Sequence, residues 1–233
     1  PRSTLFPYPT LFRSNEKEHT DASPILYRSG KTSQFITHGA DFPISYDPKT
    51  GKEIWRCGGL NPRNDPNKRY HPTLRFVASP VAADGMVILP TAKNQAVFAI
   101  KPNLKGDITA VAEAHLWKLT SNTPDVPSPL IHGGLVYLCR ENGDLICLDG
   151  KTGTQLYRQR THRNRHRASP VIADGKIFLT SRDGKVSVVQ VGKTFKLLSQ
   201  NSMNDTISAS PAISNGTIYL RGWEYLWAIR KAK

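Results

Sequence analysis

The sequence is poor in cysteine and in acidic residues, and it has no long apolar run. Its three cysteines, Cys57, Cys139 and Cys147, make neither a CxxC motif nor a dense disulfide set, so at most one disulfide can form. Cys139 and Cys147 flank the Asn142-Gly143 turn; either they approach each other across a hairpin or they are two buried apolar thiols. No apolar stretch is long enough to cross a bilayer as a helix, which excludes a membrane span within these residues. GxSxG, the full P-loop GxxxxGK[ST] and HExxH are all missing, so the usual signatures of serine hydrolases, P-loop enzymes and zinc proteases are not present. Helix signals are scarce, because prolines and glycines interrupt almost every window and Val, Ile and Thr dominate the apolar stretches. The one helical candidate, residues 109–117, is short. Eighteen Asp and Glu face thirty-two Lys and Arg, for a net charge of +14. That surplus either favours anionic partners through its long-range field or is solvated surface; it says nothing about the fold.

What the chain does have is a phrase that returns. Ser-Pro pairs open at Ser23, Ser79, Ser128, Ser169 and Ser210, and four of them lead at the same distance to a turn glycine and alternating apolar residues. Pro80 leads to Gly85, Val87 and Leu89; Pro129 to Gly134, Val136 and Leu138; Pro170 to Gly175, Ile177 and Leu179; Pro211 to Gly216, Ile218 and Leu220. The copy at Pro24 is looser by one residue. Starts separated by 56, 49, 41 and 41 residues fit a unit of about forty, the length of one four-stranded propeller blade. The expected fold is all-β, a β-propeller of four-stranded antiparallel blades.

Residues 1–14, PRSTLFPYPTLFRS, stand apart from this pattern. The translation of a widely used sequencing adapter, TLFPYTTLFRS, matches Thr4 to Ser14 with Pro9 as the only change. The segment reads as an artefact and is left out of fold reasoning. Residues 15–233 read as a single propeller domain.

The clearest unit spans residues 168–200. It predicts a short strand after Ser169-Pro170, a turn at Asp174-Gly175, a strand over 176–180, a turn at Asp183-Gly184, a strand over 186–191 and a last strand near 195–199, the Asp-Gly pairs supplying positive φ. Two units add a corner phrase, YDPKTGKEIW over 46–55 and LDGKTGTQLY over 148–157. The Asp accepts backbone N–H groups, the Gly takes the turn conformation, and the aromatic packs between neighbouring sheets. Asp47, Gly51 and Trp55 fill these roles in the first unit, and Asp149, Gly153 and Tyr157 in the third. Trp117 is the aromatic of the second. The fourth unit has Gln190 and Leu198 at the Asp and aromatic positions, so its corner is expected to dock less firmly.

The combination of SPxxxDGxIxL with LDxxTGxxxW resembles the PQQ-binding-like β-propeller repeat family, within the quinoprotein alcohol dehydrogenase-like superfamily, over residues 23–229. The resemblance implies eight blades, of which about five are present here, and an outer strand for the last blade contributed by the N-terminal end of the chain. The expectation is therefore an open arc with two raw sheet edges, with a closed five-bladed ring as the alternative. The family includes periplasmic lipoproteins of the BamB type, which are scaffolds in outer-membrane protein assembly, and true quinoprotein dehydrogenases. It implies a non-catalytic binding or scaffold protein, periplasmic or secreted, with room for a signal or lipid anchor upstream; the chain is alternatively one module of a larger protein. A quinoprotein dehydrogenase stacks PQQ against a tryptophan, and in many members against a disulfide of adjacent cysteines, beside a calcium ion with a catalytic Asp. No adjacent cysteine pair occurs here, and no Trp falls in the stretches just before the Ser-Pro strands that should line the channel. No cofactor is expected, and PQQ with calcium enters only under the dehydrogenase alternative.

The sharpest candidate site is a basic run. Arg158, Arg160, Arg163, Arg165 and Arg167, with His162 and His166, occupy the connection from the third unit's outer strand to the fourth unit's inner strand. Such a link runs from rim to channel, so Arg165, His166 and Arg167 are expected at the channel mouth. The link before Ser79 offers Arg69, His71 and Arg75. Arg75, His162, Arg165, His166 and Arg167 form a candidate set for an anionic envelope or matrix ligand, or for a partner protein, with arginine holding oxyanions through paired hydrogen bonds. The alternative is that these arginines pin adjacent blades through acidic loop residues such as Glu141 and Asp125. The His162/His166 spacing suits a metal only on a helix, and the flanking arginines repel a cation. Nucleic acid is not expected, since the basic residues are not interleaved with aromatics in a stacking pattern.

Overall fold

A computed structural model of the chain describes residues 20–30, 32–39, 42–60, 76–92 and 95–231. The adapter-like residues 1–14, and Arg69, His71 and Arg75, lie outside the described residues.

The repeats form five antiparallel meanders in sequence order. Blade 1 holds β1 (Ile25–Ser29), β2 (Thr32–His38), β3 (Pro43–Tyr46) and β4 (Glu53–Arg56); blade 2 holds β5 (Val81–Ala83), β6 (Met86–Leu89), β7 (Val97–Ile100) and β9 (His115–Leu119). Blade 3 is β10 (Leu130–His132), β11 (Leu135–Cys139), β12 (Asp144–Asp149) and β13 (Gln155–Arg160). Blade 4 is β14 (Val171–Ala173), β15 (Lys176–Thr180), β16 (Lys185–Gln190) and β17 (Leu197–Ser202). Blade 5 has three strands, β18 (Ala212–Ser214), β19 (Thr217–Arg221) and β20 (Leu226–Arg230). The short β8 (Gly106–Asp107), from the insertion in blade 2, runs parallel to β4 and extends the outer edge of blade 1.

Turn chemistry sets the hairpins. Asp84-Gly85, Gly133-Gly134, Asp174-Gly175 and Asn215-Gly216 have positive φ at both residues, the geometry whose twist matches that of the flanking strands. The turns at 142–143 and 183–184 differ from expectation: only Gly143 and Gly184 have positive φ. Their loops are longer, closed by Arg140 N–H to the Asp144 carbonyl and by Ser181 N–H to the Lys185 carbonyl. The last strand of blade 4 also starts later than expected, because Phe195 packs edge-on against Tyr157 with ring centroids 5.7 Å apart. The helical candidate at 109–117 is a 3-10 turn over Ala112–Ala114 followed by β9.

The Ser-Pro serines tie the blades together. Ser23 N–H donates to Ser79 Oγ (2.9 Å), Ser79 N–H to Ser128 Oγ (3.0 Å), Ser128 N–H to Ser169 Oγ (2.9 Å) and Ser169 N–H to Ser210 Oγ (2.9 Å). Each rung joins the entry of one inner strand to the next, so the order of blades in space is their order in sequence. Apolar layers fill the gaps between sheets. Tyr27, Ile36 and Trp55 of blade 1 meet Val87, Leu89 and Ile100 of blade 2. Ile88, Ala99 and Trp117 meet Val136, Leu138 and Ile146 of blade 3, and Tyr137, Cys147 and Tyr157 meet Ile177, Leu179 and Val189 of blade 4. Each fully buried side chain of this size contributes about 1.5–3 kcal/mol.

Burial shows that the propeller is an open arc. In blades 2, 3 and 4 the two central strands are buried at nearly every position, on both faces. In blade 1 burial alternates along β2 and β3, as for a sheet covered on one side, and in blade 5 most of β19 and β20 is exposed. A closed ring would cover all five blades twice.

The three cysteines are buried and free. Register explains why Cys139 and Cys147 do not pair: Cys139 lies opposite Leu145 and Cys147 opposite Tyr137, which sets the thiols on a diagonal. Desolvation pushes the Cys139 thiol up to about 12 and the Cys147 thiol up to about 11.

Candidate functional site

In an antiparallel meander the turn between the second and third strands lies at the same end as the link to the next blade. The loop 140–144 between β11 and β12, the link 121–127 from blade 2 and the link 161–169 to blade 4 therefore converge on one face. Between them is a cleft of about 410 Å³. Arg140, Arg160, Arg163 and Arg165 line it, with Asp125 and Glu141 as the carboxylates; Thr123, Asn142 and Asn164 add hydroxyl and amide groups.

Asp144, buried beneath this face, organises the guanidinium groups. Its carboxylate accepts Arg158 Nε at 2.8 Å and Arg160 Nε at 3.0 Å, and Arg140 Nη1 lies 3.3 Å away. Burial alone would raise the Asp144 carboxyl, but hydrogen bonds from Arg158, Arg160 and Asn142 outweigh it and hold it below the ordinary carboxylate range. Arg158 also reaches Asn122 Oδ1 at 2.9 Å, joining the outer strand of blade 3 to the preceding link.

The expected residues fall into distinct places. Arg165 Nε and Arg167 Nη2 lie 3.1 and 3.2 Å from the same Glu141 oxygen, pinning the 161–169 link to the turn of blade 3. Arg165 still lines the cleft; Arg167 does not. His162 Nε2 is 2.8 Å from Asp183 Oδ2, a bridge to blade 4. His166 is buried, its Nδ1 2.9 Å from the Asn164 carbonyl, and burial lowers its pKa from the ordinary histidine value. Gly143 makes room for this arrangement: at φ +87 a Cβ would stand 1.9 Å from the His162 carbonyl oxygen. Arg75 lies outside the described residues.

Sequence reasoning placed Arg163 in the basic run but not among the candidate site residues, although it is exposed on the cleft. It missed Arg140 and Thr123, which enter from a different turn and a different link. Among the described residues Thr123 Oγ1 and Arg140 Nε are buried without a hydrogen-bond partner, so the cleft has polar capacity to spare.

The corner residues lie away from the cleft. Asp47 Oδ1 accepts the N–H groups of Lys49 and Thr50 at 2.8 and 2.9 Å, and Asp149 Oδ1 those of Lys151 and Thr152 at 3.0 Å each. Gly51 and Gly153 have φ of +69 and +71. Trp117 Nε1 donates to the Gly150 carbonyl at 2.8 Å, and a Cβ on Gly153 would sit 2.6 Å from Trp117 Cγ, so the blade 2 aromatic packs against the blade 3 corner. Trp55 is fully buried and donates to Gln34 Oε1 at 3.0 Å.

Trp55 and Trp117 are committed to the packing between blades, Trp223 and Trp227 belong to blade 5, and among the described residues no group of three His, Cys, Asp or Glu side chains converges as a metal site. Nor, among them, is any helix long and apolar enough to cross a membrane.

The family model described as outer membrane protein assembly factor BamB matches residues 104–222, just over half of the chain. The crystal structure of the computationally designed Ika4 protein superimposes with a TM-score of 0.57 at 12% identity, covering 77% of this chain and 99% of that one. BamB from Moraxella catarrhalis gives a TM-score of 0.45 at 14% identity, covering 84% of this chain and 68% of that one. No curated protein matches the sequence.

Proposed function

Since the chain belongs to the PQQ-like β-propeller repeat family whose model is described as outer membrane protein assembly factor BamB, we propose that it is a non-catalytic scaffold of the cell envelope, periplasmic or secreted, that holds an anionic group of its partner or ligand on the loop face. The observation that carries this reading is the arginine cleft. Four guanidinium groups around a cleft of about 410 Å³ face only two lining carboxylates. Asp144 holds two of them, Arg160 at 3.0 Å and Arg140 at 3.3 Å, from beneath, so their orientation precedes any ligand. Arginine in fixed pose suits carboxylate, phosphate or sulfate through forked hydrogen bonds. The reading requires neither quinone nor metal.

Calorimetric titration with inorganic phosphate, sulfate and a hexaglutamate peptide tests it. Binding of at least one of these is expected, weakening as salt rises. Arg163→Ala is expected to weaken that binding about tenfold or more, the worth of one charge-assisted hydrogen bond, while the thermal midpoint stays unchanged. Absence of binding to all three, or equal binding by the variant, would remove the proposal.

A further inference from the structure

We propose, resting on the anion-binding reading of the cleft, that its ligand is a phosphomonoester of a polyol, such as a hexose phosphate, with the phosphate on the arginine side and the hydroxyl groups toward Thr123 and Asp125.

Size is the first constraint. A cleft of about 410 Å³ lies within the range of pockets that take a whole small molecule, about 300–1,000 Å³. A lone inorganic oxyanion fills only a small part of it. Such pockets are mostly apolar, but every described side chain that lines this one is polar. The body that carries the anion therefore meets no apolar surface, and needs hydroxyl groups of its own to replace the water it displaces.

The walls differ in chemistry. The 161–169 link contributes Arg163 and Arg165, and blade 3 adds Arg140 and Arg160. The carboxylate on this side, Glu141, is already paired with Arg165 and Arg167. On the blade 2 side, the 121–127 link lines the cleft with Thr123 and Asp125 and has no basic side chain. Thr123 is only 8% exposed, and among the described residues its Oγ1 has no hydrogen-bond partner. An orphaned buried hydroxyl is rare, and marks this wall for a polar group of a ligand. A carboxylate offers about four acceptor sites, so Asp125 takes hydroxyl groups beside any contact it makes with the protein. The lining amides are committed elsewhere: Asn142 bonds to Asp144 through both its nitrogen and its oxygen, and Asn164 accepts Arg165 N–H at 2.6 Å and bonds to Asp183.

Charge selects the kind of anion. Among the described lining residues, four guanidinium groups against two carboxylates leave two positive charges. A phosphomonoester carries about −1.5 to −2 at pH 7, whereas a sulfate ester or a single carboxylate carries one charge. A run of carboxylates supplies more, but sets some of it against Asp125. A ligand doubly negative at one end and neutral but hydroxylated at the other satisfies both walls, and a sugar phosphate has that form.

Calorimetric titration of the chain with glucose 6-phosphate, inorganic phosphate, glucose and hexaglutamate tests the assignment. Glucose 6-phosphate is expected to bind about tenfold or more tightly than inorganic phosphate, the worth of a hydrogen bond to the Asp125 carboxylate. Glucose alone is expected not to bind, and hexaglutamate to bind more weakly than the sugar phosphate. Asp125→Ala is expected to bring the affinities for glucose 6-phosphate and phosphate together, and Thr123→Val to narrow the gap between them, with circular dichroism verifying the fold of each variant. Vesicles of phosphatidylcholine with and without phosphatidylinositol 4-phosphate distinguish the source of the ester. Cosedimentation with the phosphoinositide vesicles, competed by glucose 6-phosphate, assigns it to a lipid headgroup, and binding of the free ester alone assigns it to a soluble ligand. Equal binding of glucose 6-phosphate and phosphate, tighter binding of hexaglutamate, or an undiminished preference in the folded variants would overturn the inference and leave the anion-binding cleft standing. Absence of binding by every ligand would remove both.

Discussion

Gly143 and Gly133 separate two reasons for a glycine. At Gly133 (φ +57) nothing lies within 4 Å of an added Cβ, so Gly133→Ala is expected to cost only the left-handed strain, about 1–2 kcal/mol. At Gly143 (φ +87) the same carbon meets the His162 carbonyl oxygen and the His166 ring. Gly143→Ala is therefore expected to cost distinctly more and to disturb the cleft, as measured by urea unfolding and by phosphate titration of the folded variant. A second residue-scale prediction concerns His38, which is buried, bonded through Nε2 to the Pro90 carbonyl and packed edge-on against Phe76. Burial lowers its pKa from 6.5 to about 4, partly offset by that backbone bond. The unfolded chain takes up this proton below pH 6.5 while the folded chain does not, so stability falls as pH drops from about 6.5 toward 4, by up to about 3 kcal/mol. Unfolding titrations across this range are expected to show that slope, and His38→Gln to reduce it. A slope unchanged in His38→Gln would assign it to other groups.

At the scale of elements the serine ladder gives an internally controlled test. The Oγ atoms of Ser79, Ser128, Ser169 and Ser210 each accept an N–H from the preceding blade, whereas Ser23 Oγ accepts none among the described residues. Ser128→Ala is expected to cost about 1–2 kcal/mol by leaving a partly buried N–H unmatched, and Ser23→Ala to be near neutral in the dilute chain. Equal effects in urea titrations would dissociate stability from the ladder. The turn residues around Asp84-Gly85 and Asp174-Gly175 were readable from sequence because positive φ is a local demand that few residue pairs meet. The Ser-Pro spacing was readable as a repeat, but the serine's role was not, since its partner lies 41 to 56 residues away. The cleft was half readable for the same reason: a run of arginines marks the 161–169 link, while Arg140 and the anchoring carboxylate of Asp144 are brought to it by strand pairing within blade 3, and Thr123 by the docking of the blade 2 link. The corner of blade 4, with Gln190 and Leu198 in place of Asp and an aromatic, is consistent with a β17 exposed along its length.

At the scale of the whole molecule, stability is a sum over blades and the contacts between neighbours, as expected of a repeat array. Blades 2, 3 and 4 are covered on both faces and blades 1 and 5 on one, so opening is expected to start at the ends and reach the centre last. The loop face benefits from this distribution, because the cleft is built on blade 3, the middle of the arc, where the supporting strands are buried throughout.

Amide hydrogen exchange of the dilute monomer, resolved to individual strands, tests the open arc most directly. The account predicts the slowest exchange in β6, β7, β11, β12, β15 and β16, with β19 and β20 exchanging faster by orders of magnitude and β1 to β3 intermediate. Uniform protection across all five blades would mean a closed ring, and would contradict it.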